Sequence, residues 1–346
     1  MLFRSLHDAF SDLAVTQEVT FADVVDEPDF VPATPSELRI KEYQGSPRQV
    51  IAALDRHSVL VVQGAPVSEG VLEADPDLRL ICCARGGPVN VDVAAATARG
   101  IPVVITPGKN ADAVAELTIA FLVMLARRLP EVMRHVEGGG EFAHDNYEGA
   151  RWFGHDLAGM VLGLVGYGQV GQRVAVRAAA FGMRVVVSDP FVAPDLMVAS
   201  GVEAVDLQTL LGLSDFVSLH ARASATNAHL IGPQEVARMK AGAFLVNTAR
   251  QSLVDEAALI AGLRSGRLAG IAVDLVSPSP ETGRHPLLNF PNVIITTHIG
   301  GATYETLRHG GEMAAAEIER LLRGEPLVNV ADRAVLPASG ISEISS

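Results

Sequence analysis

Several things are scarce in this chain of 346 residues, and each scarcity excludes a class of function. There are two cysteines, one tryptophan and four tyrosines, and 27 Lys+Arg stand against 40 Asp+Glu, a net charge of −13. Two cysteines cannot build a disulfide framework. Cys82 and Cys83 are adjacent in a β-like run, where side chains alternate between faces and a bridge would be strained, so they read as reduced core thiols rather than a redox pair. The deficit of basic residues repels phosphate backbones and anionic membrane surfaces, so nucleic acid is not an expected partner. Long apolar runs are missing too: Leu117 to Ala126 is fenced by Glu116 and Arg127, and His285 to Tyr304, free of Asp, Glu, Lys and Arg, carries two prolines and two asparagines. No membrane span is expected. Asp8 and Asp12 interrupt any secretory signal, and the expected location is the cytoplasm.

Glycine and small apolar residues are what the chain has: 32 glycines, 19 prolines and 49% hydrophobic residues, at a length suggesting about two domains. Short Val- and Ile-rich runs alternate with helix-like segments, the pattern of stacked βαβ units around parallel sheets. The first series is Val59 to Gln63, Arg79 to Ala84 and Ile101 to Ile105. After a loop at Gly149 to Gly159 come Met160 to Val165, Met183 to Ser188, Phe216 to His220, Ala243 to Asn247, Ile271 to Asp274 and Val293 to Thr297, which fits a six-stranded doubly wound sheet. Asp112 to Leu129 is an unusually apolar helix, a core helix or one completed by a second subunit. Tyr304 to Arg323 is an amphipathic helix with Leu307, Met313, Ile318, Leu321 and Leu322 on one face, and the small, polar tail after Ala331 is expected to fray.

The strand Met160 to Val165 runs into Gly166-Tyr167-Gly168-Gln169-Val170-Gly171, a G-x-G-x-x-G that opens a helix. Gly166 permits the turn, Gly168 lets a pyrophosphate approach the backbone, and Gly171 lets helix and strand pack closely, with the anion held by the N–H groups around Gln169 and Val170. Asp189 lies 23 residues after Gly166, at the end of the next strand, where a carboxylate accepts bonds from ribose hydroxyls and repels a 2′-phosphate. NAD is therefore expected over NADP. The alternative for Asp189 is a turn-forming role before Pro190.

Three polar groups follow later strands: Asn247 to Arg250, Asp274, and Thr296 to Gly301 with His298 among them. An arginine, an aspartate and a histidine at one sheet edge would supply a carboxylate clamp, a cofactor anchor and a proton carrier. Taken singly, Arg250 could be a surface ion pair, Asp274 a cap and His298 a satisfied buried histidine.

With Ala84 to Asn90, Pro107 to Ala111, Gly166 to Gly171, Asn247 to Arg250, Asp274 and His298 to Gly301 in this order, the chain resembles the D-isomer-specific 2-hydroxyacid dehydrogenase family over about residues 50 to 330. In wording it is nearest to phosphoglycerate dehydrogenase-like sequences. The resemblance implies an α/β architecture of two doubly wound parallel-sheet domains: a flavodoxin-like substrate domain of residues 1–107 with 301–330, an inserted Rossmann domain of residues 108–300, and a tail of 331–346. That would leave no room for the C-terminal regulatory domain some phosphoglycerate dehydrogenases carry. It implies an NAD-dependent oxidoreductase acting on a small 2-hydroxy or 2-oxo acid, phosphorylated or polyhydroxylated among the options, with no metal. His298 resembles the acid/base, Arg250 the carboxylate-binding arginine, and Arg85, Gly86 and Gly87 the rest of the substrate site. Asp274 resembles the residue that orients the nicotinamide amide, and His220, Thr248, Ala249 and Gly300 line the cofactor. Closure of a cleft between the domains would exclude water, and the helix Asp112 to Leu129 resembles the segment through which such proteins form homodimers.

One departure stands out. The family's usual glutamate partner of the histidine is replaced by Ser279 in Ser277-Pro278-Ser279-Pro280, which removes a carboxylate that stabilises imidazolium. Ser279 is thus counted with the catalytic residues, and Glu281 is a possible substitute. The substitution also keeps open a different class, an NAD(H)-sensing binding protein or corepressor on the same fold with little turnover. Arg85, Lys109 and Arg134 are the basic candidates for a further substrate anion.

Overall fold

A computed structural model describes residues 8, 10, 11, 17–140, 150–274 and 285–336. The chain divides into two compact units, Met1–Lys109 with Thr303–Ser346, and Asn110–Ala302. The first begins with two short helices, α1 (Pro35–Arg39) and α2 (Pro47–Ala53), and continues as β1 (Val59–Val62), α3 (Glu69–Ala74), β2 (Leu80–Cys83), α4 (Val93–Ala98) and β3 (Val103–Ile105). The strands form a parallel sheet in the order β1-β2-β3. All four residues of β2 are buried, as befits a central parallel strand covered on both faces. Its alternation sends Cys83 into a cluster with Val50, Val67 and Ala96, and Cys82 into another with Leu80, Val104 and Ile318. Both thiols are free, and burial pushes their pKa values up, that of Cys83 to about 11, which keeps them protonated and unreactive.

The second unit opens with α5 (Ala111–Ala126) and α6 (Leu129–Glu137). These replace the single helix expected over Asp112 to Leu129, because Arg128 takes a left-handed φ of +55° and Pro130 opens a new helix. On α5, Ala115, Leu122 and Leu125 are buried in one cluster with Val174, Ala175 and Ala178. Most of its apolar surface is thus used within its own unit. There follow β4 (Val161–Val165), α7 (Gln169–Ala180), β5 (Arg184–Ser188), α8 (Pro194–Ala199), β6 (Glu203–Ala204), α9 (Leu207–Leu213), β7 (Phe216–Leu219), α10 (Pro233–Arg238), β8 (Ala243–Asn247), α11 (Glu256–Arg264), β9 (Leu268–Val273) and β10 (Val293–Ile295). The strands make one parallel sheet in the order β10-β9-β8-β7-β4-β5-β6. The seventh strand, β6, is a two-residue edge too short to show a pattern. From β4 the chain works outward to β6, then returns to β7 on the other side of β4. Strand order reverses there, the point beside which open α/β sheets bind their ligands.

The chain re-enters the first unit through α12 (Tyr304–Arg323), capped by Thr303 at its start and by Gly324, φ +67°, at its end. Small residues, not the large ones, make its buried face: Gly310, Gly311, Ala314 and Ala315 are buried with Ile318, while Leu322 is half exposed. Buried Glu317 accepts hydrogen bonds from the backbone N–H groups of Val328 and Asn329. That segment lies antiparallel against β3 through Val104 and Val330. Fraying was expected after Ala331, but Asp332 accepts a 3.0 Å bond from Thr97, and Val335 and Leu336 are buried.

Candidate active site

Register places the polar residues of the second unit in one row. Ser188, Val165, Leu219, Asn247, Val273 and Ile295 are partners across β5, β4, β7, β8, β9 and β10. The residue after each is Asp189, Gly166, His220, Thr248, Asp274 and Thr296. Asp189 and Asp274 stand four strands apart, roughly 19 Å at ~4.8 Å per strand, a span an extended dinucleotide can bridge.

At the switch point, Gly166 has φ +101°, and a Cβ there would lie 2.6 Å from the backbone N of Ala221. Only glycine is accommodated. A Cβ on Gly171 would meet the carbonyl of Gly166 at 2.4 Å, so the helix starts hard against the turn. Gly168 differs: it is exposed, its Cβ would touch nothing within 4 Å, and as N-cap of α7 it has no side chain to satisfy the first N–H groups. Those donors, with Gln169 exposed and Val170 half-buried behind them, form an anion site at the start of a 12-residue helix. The site fits a dinucleotide pyrophosphate.

Asp189 reaches the same loop. One carboxylate oxygen accepts the N–H of Tyr167 at 2.7 Å, the other that of Phe191 at 2.8 Å. The turn role and the loop role therefore coexist in one side chain. Beside them, His220 shares a 2.9 Å hydrogen bond between Nε2 and the buried Ser218 hydroxyl. His220 is half-buried, and the atoms crowding its ring desolvate it enough to draw its pKa down to about 4, so it is neutral at physiological pH.

Asn247, buried at the end of β8, shapes the next loop: its amide nitrogen donates to the carbonyl of Arg250 at 2.9 Å and its amide oxygen accepts from Ala249 N at 3.0 Å. Thr248 shares a 3.1 Å hydrogen bond with Thr118 of α5. Arg250 is exposed, donates to the carbonyl of Ala249 at 2.7 Å, and has no carboxylate within ion-pair distance among the described residues. Its fork is not held by a structural salt bridge.

Asp274 is 3% exposed, and both of its carboxylate oxygens accept hydrogen bonds. Oδ1 accepts from the Thr296 hydroxyl at 2.6 Å and Ile299 N at 2.8 Å, and Oδ2 accepts from Gly300 N at 2.7 Å. Its backbone carbonyl accepts from His298 N at 2.7 Å. A Cβ on Gly300 would sit 2.6 Å from Oδ2, which explains the glycine. Between these anchors His298 takes a left-handed φ of +61°, a conformation costing about 1–3 kcal/mol outside glycine. Its imidazole is exposed and makes no hydrogen bond among the described residues. Ser279 and Glu281, the expected partner positions, lie outside the described residues.

In the first unit, Arg85 pairs with Glu42 and its carbonyl accepts from Thr106 N at 2.8 Å. A Cβ on Gly86 would reach only the carbonyl of Thr106, at 3.9 Å, and one on Gly87 nothing within 4 Å. Neither has a positive φ. Their own unit gives no steric reason for glycine at either position. Arg134, by contrast, donates to the carbonyls of Phe290 and Val293 at the opposite end of β10, at 2.8 and 2.9 Å. It is a structural tie. Sequence reasoning missed Ser218, a polar residue inside the apolar run Phe216 to His220, and placed Asn247 and Thr296 in polar groups at strand ends without giving either a role.

Comparison with known proteins agrees with this layout. Residues 119–300 match the model of the D-isomer specific 2-hydroxyacid dehydrogenase NAD binding domain. The chain is 38% identical over 272 residues to a glyoxylate reductase of Korarchaeum cryptofilum, covering 78% of this chain and 81% of that one. It is 36% identical over 288 residues to a D-3-phosphoglycerate dehydrogenase of Methanocaldococcus jannaschii, covering 83% of this chain and 54% of that one. Thus the chain spans about half the length of this curated phosphoglycerate dehydrogenase. The apo-structure of D-lactate dehydrogenase from Escherichia coli superposes with a TM-score of 0.74 at 25% identity, over 96% of both chains. A glycine turn at the strand-order switch, an acid on the next strand and a histidine loop four strands away on the other side lie within the stretch that the family's NAD-binding model matches, and the chain belongs to the D-isomer specific 2-hydroxyacid dehydrogenase family.

Proposed function

We propose that this chain interconverts a small D-2-hydroxy acid and its 2-oxo acid with NAD. The observation that carries the reading is the single row along the sheet edge, from Asp189 through Gly166 and His220 to Asp274 and the His298 loop. Gly166, Gly168 and Gly171 would receive the pyrophosphate of NAD and Asp189 its ribose, while His220, Thr248, Ala249 and Gly300 would line the nicotinamide half. When bound, the nicotinamide supplies the hydride acceptor or donor. Arg250, unpaired with any described carboxylate, would hold the substrate carboxylate through its planar fork. On the first unit, Arg85 and the backbone of Gly86 and Gly87 would offer substrate contacts of their own. His298 would take the hydroxyl proton in oxidation and return it in reduction, the part usually played by a histidine whose ring is free on one side. Asp274 acts on the histidine loop through its three accepted hydrogen bonds, and would meet the nicotinamide amide only secondarily, since both oxygens are already engaged.

The test is oxidation of NADH with glyoxylate, hydroxypyruvate, phosphohydroxypyruvate and oxaloacetate. Turnover is expected, and His298→Ala should lower kcat by about 10²–10⁴. No turnover with any acid, despite tight NADH binding, would overturn the reading.

We further infer a cytoplasmic homodimer. No helix among the described residues is long and apolar enough to cross a membrane, and the two thiols are free. Leu129, Met133 and Val136 line one exposed face of α6, beside Phe153 at 71% exposure, extending the segment whose resemblance implies dimerisation. Met133→Asp should shift the sedimentation coefficient towards monomer; an unchanged value would move the interface elsewhere.

A further inference from the structure

Just past the C-terminal ends of β2 and β3 in the first unit stands a charge that no carboxylate among the described residues balances. Lys109, four residues past β3, is half-buried, and its Nζ donates to the carbonyl of Ala84 at 2.5 Å. Among the described residues no carboxylate lies within ion-pair distance of it, so its other N–H donors are not spent on a salt bridge. Burial, and then the like charge of Arg85, lower its pKa. An ammonium partly removed from water without a counter-charge is costly, and such groups are kept where an anion is to be met. Arg85, its neighbour, is already paired with Glu42.

The fold makes room for this ammonium. A Cβ on Gly310 of α12 would lie 3.0 Å from Cδ and 3.2 Å from Nζ of Lys109, so glycine leaves the notch along which the lysine stem runs. His309 on the same helix turns Nδ1 towards the carbonyl of Lys109 at 3.4 Å. A second, independent sign is Thr106, at the end of β3: it is 2% exposed and its hydroxyl has no hydrogen-bond partner, a loss of roughly 1–3 kcal/mol unless a ligand or solvent atom meets it. Its N–H is bonded to the carbonyl of Arg85, so it belongs to the Gly86–Gly87 turn. Strand ends of parallel sheets are where ligands bind.

Resting on the oxidoreductase reading above, we propose that Lys109 is a specificity-determining residue that binds a second anionic group of the substrate, a phosphate ester or a second carboxylate. One carboxylate needs one guanidinium fork, the part proposed above for Arg250. Lys109, with the Thr106 hydroxyl as a further donor, is surplus to a mono-anionic acid and suited to a di-anionic one. In a chain of net charge −13 such an acid is drawn in only by local cations.

The test compares wild type, Lys109→Met and Lys109→Arg with NADH and three acids: phosphohydroxypyruvate, oxaloacetate and glyoxylate. In Lys109→Met, kcat/KM for the preferred di-anionic acid should fall relative to glyoxylate by about tenfold or more, chiefly through KM, and Lys109→Arg should restore most of the ratio. Whether the phosphate or the dicarboxylate arm collapses identifies the group. An equal loss on all three acids, or an unchanged ratio, overturns the proposal while leaving the oxidoreductase reading intact. If wild type turns over no acid, that reading fails by itself, and calorimetric titration with inorganic phosphate and with malonate decides about Lys109. Binding by wild type that weakens about tenfold or more in Lys109→Met supports the anion site; equal binding, or none, overturns it.

Discussion

The turn at residues 166–171 and the loop at residues 296–300 follow strands of the same sheet, and they are held in opposite ways. The first is shaped by the absence of side chains: Gly166 and Gly171 fit because a Cβ on either would strike backbone within 2.6 Å. The second is shaped by one side chain, since Asp274 gathers Thr296, Ile299 and Gly300 and holds a non-glycine residue, His298, at positive φ. A turn defined by sterics leaves backbone N–H groups open, as the phosphates of a cofactor would need. A loop defined by a buried carboxylate can aim a side chain, and aim is lost when the carboxylate goes.

The largest effect expected from breaking this contrast is at Asp274. Asp274→Ala leaves two N–H groups and a hydroxyl without acceptors, so about 2–4 kcal/mol of stability should go, with kcat for 2-oxo acid reduction down about hundredfold or more. Denaturant melts and steady-state rates would measure both. A rate loss no larger than the change in folded fraction would show that the carboxylate does not position His298. Next in size is Gly166→Ala, expected to weaken NADH binding about tenfold or more through strain and collision with Ala221, with kcat at saturating NADH much less affected. Fluorescence titration would show it, and wild-type affinity would refute the steric account. Asp189→Ala should reduce NADH affinity several-fold and narrow the preference over NADPH; a preference kept in full would assign Asp189 to the turn alone.

The smallest effect is on pH dependence. The pKa of His220 falls from 6.5 to about 4 on folding, so the folded state favours the neutral ring. Stability linked to this group is complete above pH 6.5 and is lost progressively as pH falls towards 4. Tm should therefore drop less between pH 7 and pH 5 in His220→Asn than in wild type. Parallel drops would mean that other groups dominate acid unfolding.

Steric turns are legible in sequence and carboxylate-built loops are not. The glycines at 166 and 171 announce a backbone that side chains cannot follow, and nine of the ten strands among the described residues stood out as Val- and Ile-rich runs; only β6, two residues long, left no trace. Asp274 and His298 were visible as residue types at strand ends, but the direction of a carboxylate depends on which N–H groups fold back to it, which no local pattern records. Likewise Arg134 looked like a substrate cation until its two carbonyl partners at the far end of β10 were seen. The break at Arg128 inside a continuous apolar pattern was hidden because a left-handed residue there need not be glycine.

The strap formed by residues 327–336 sets an order of events during synthesis. The second unit is contiguous, Asn110–Ala302, and can close as soon as it leaves the ribosome. The first unit exposes β2 and β3 until α12 and the segment pairing Val330 with Val104 have been made. Its N-terminal half must therefore wait, partly uncovered, through the translation of about 200 residues, roughly 10–40 s at typical elongation rates. The part of the chain made first is the last to be finished, and its unburied strands are where a chaperone would be needed.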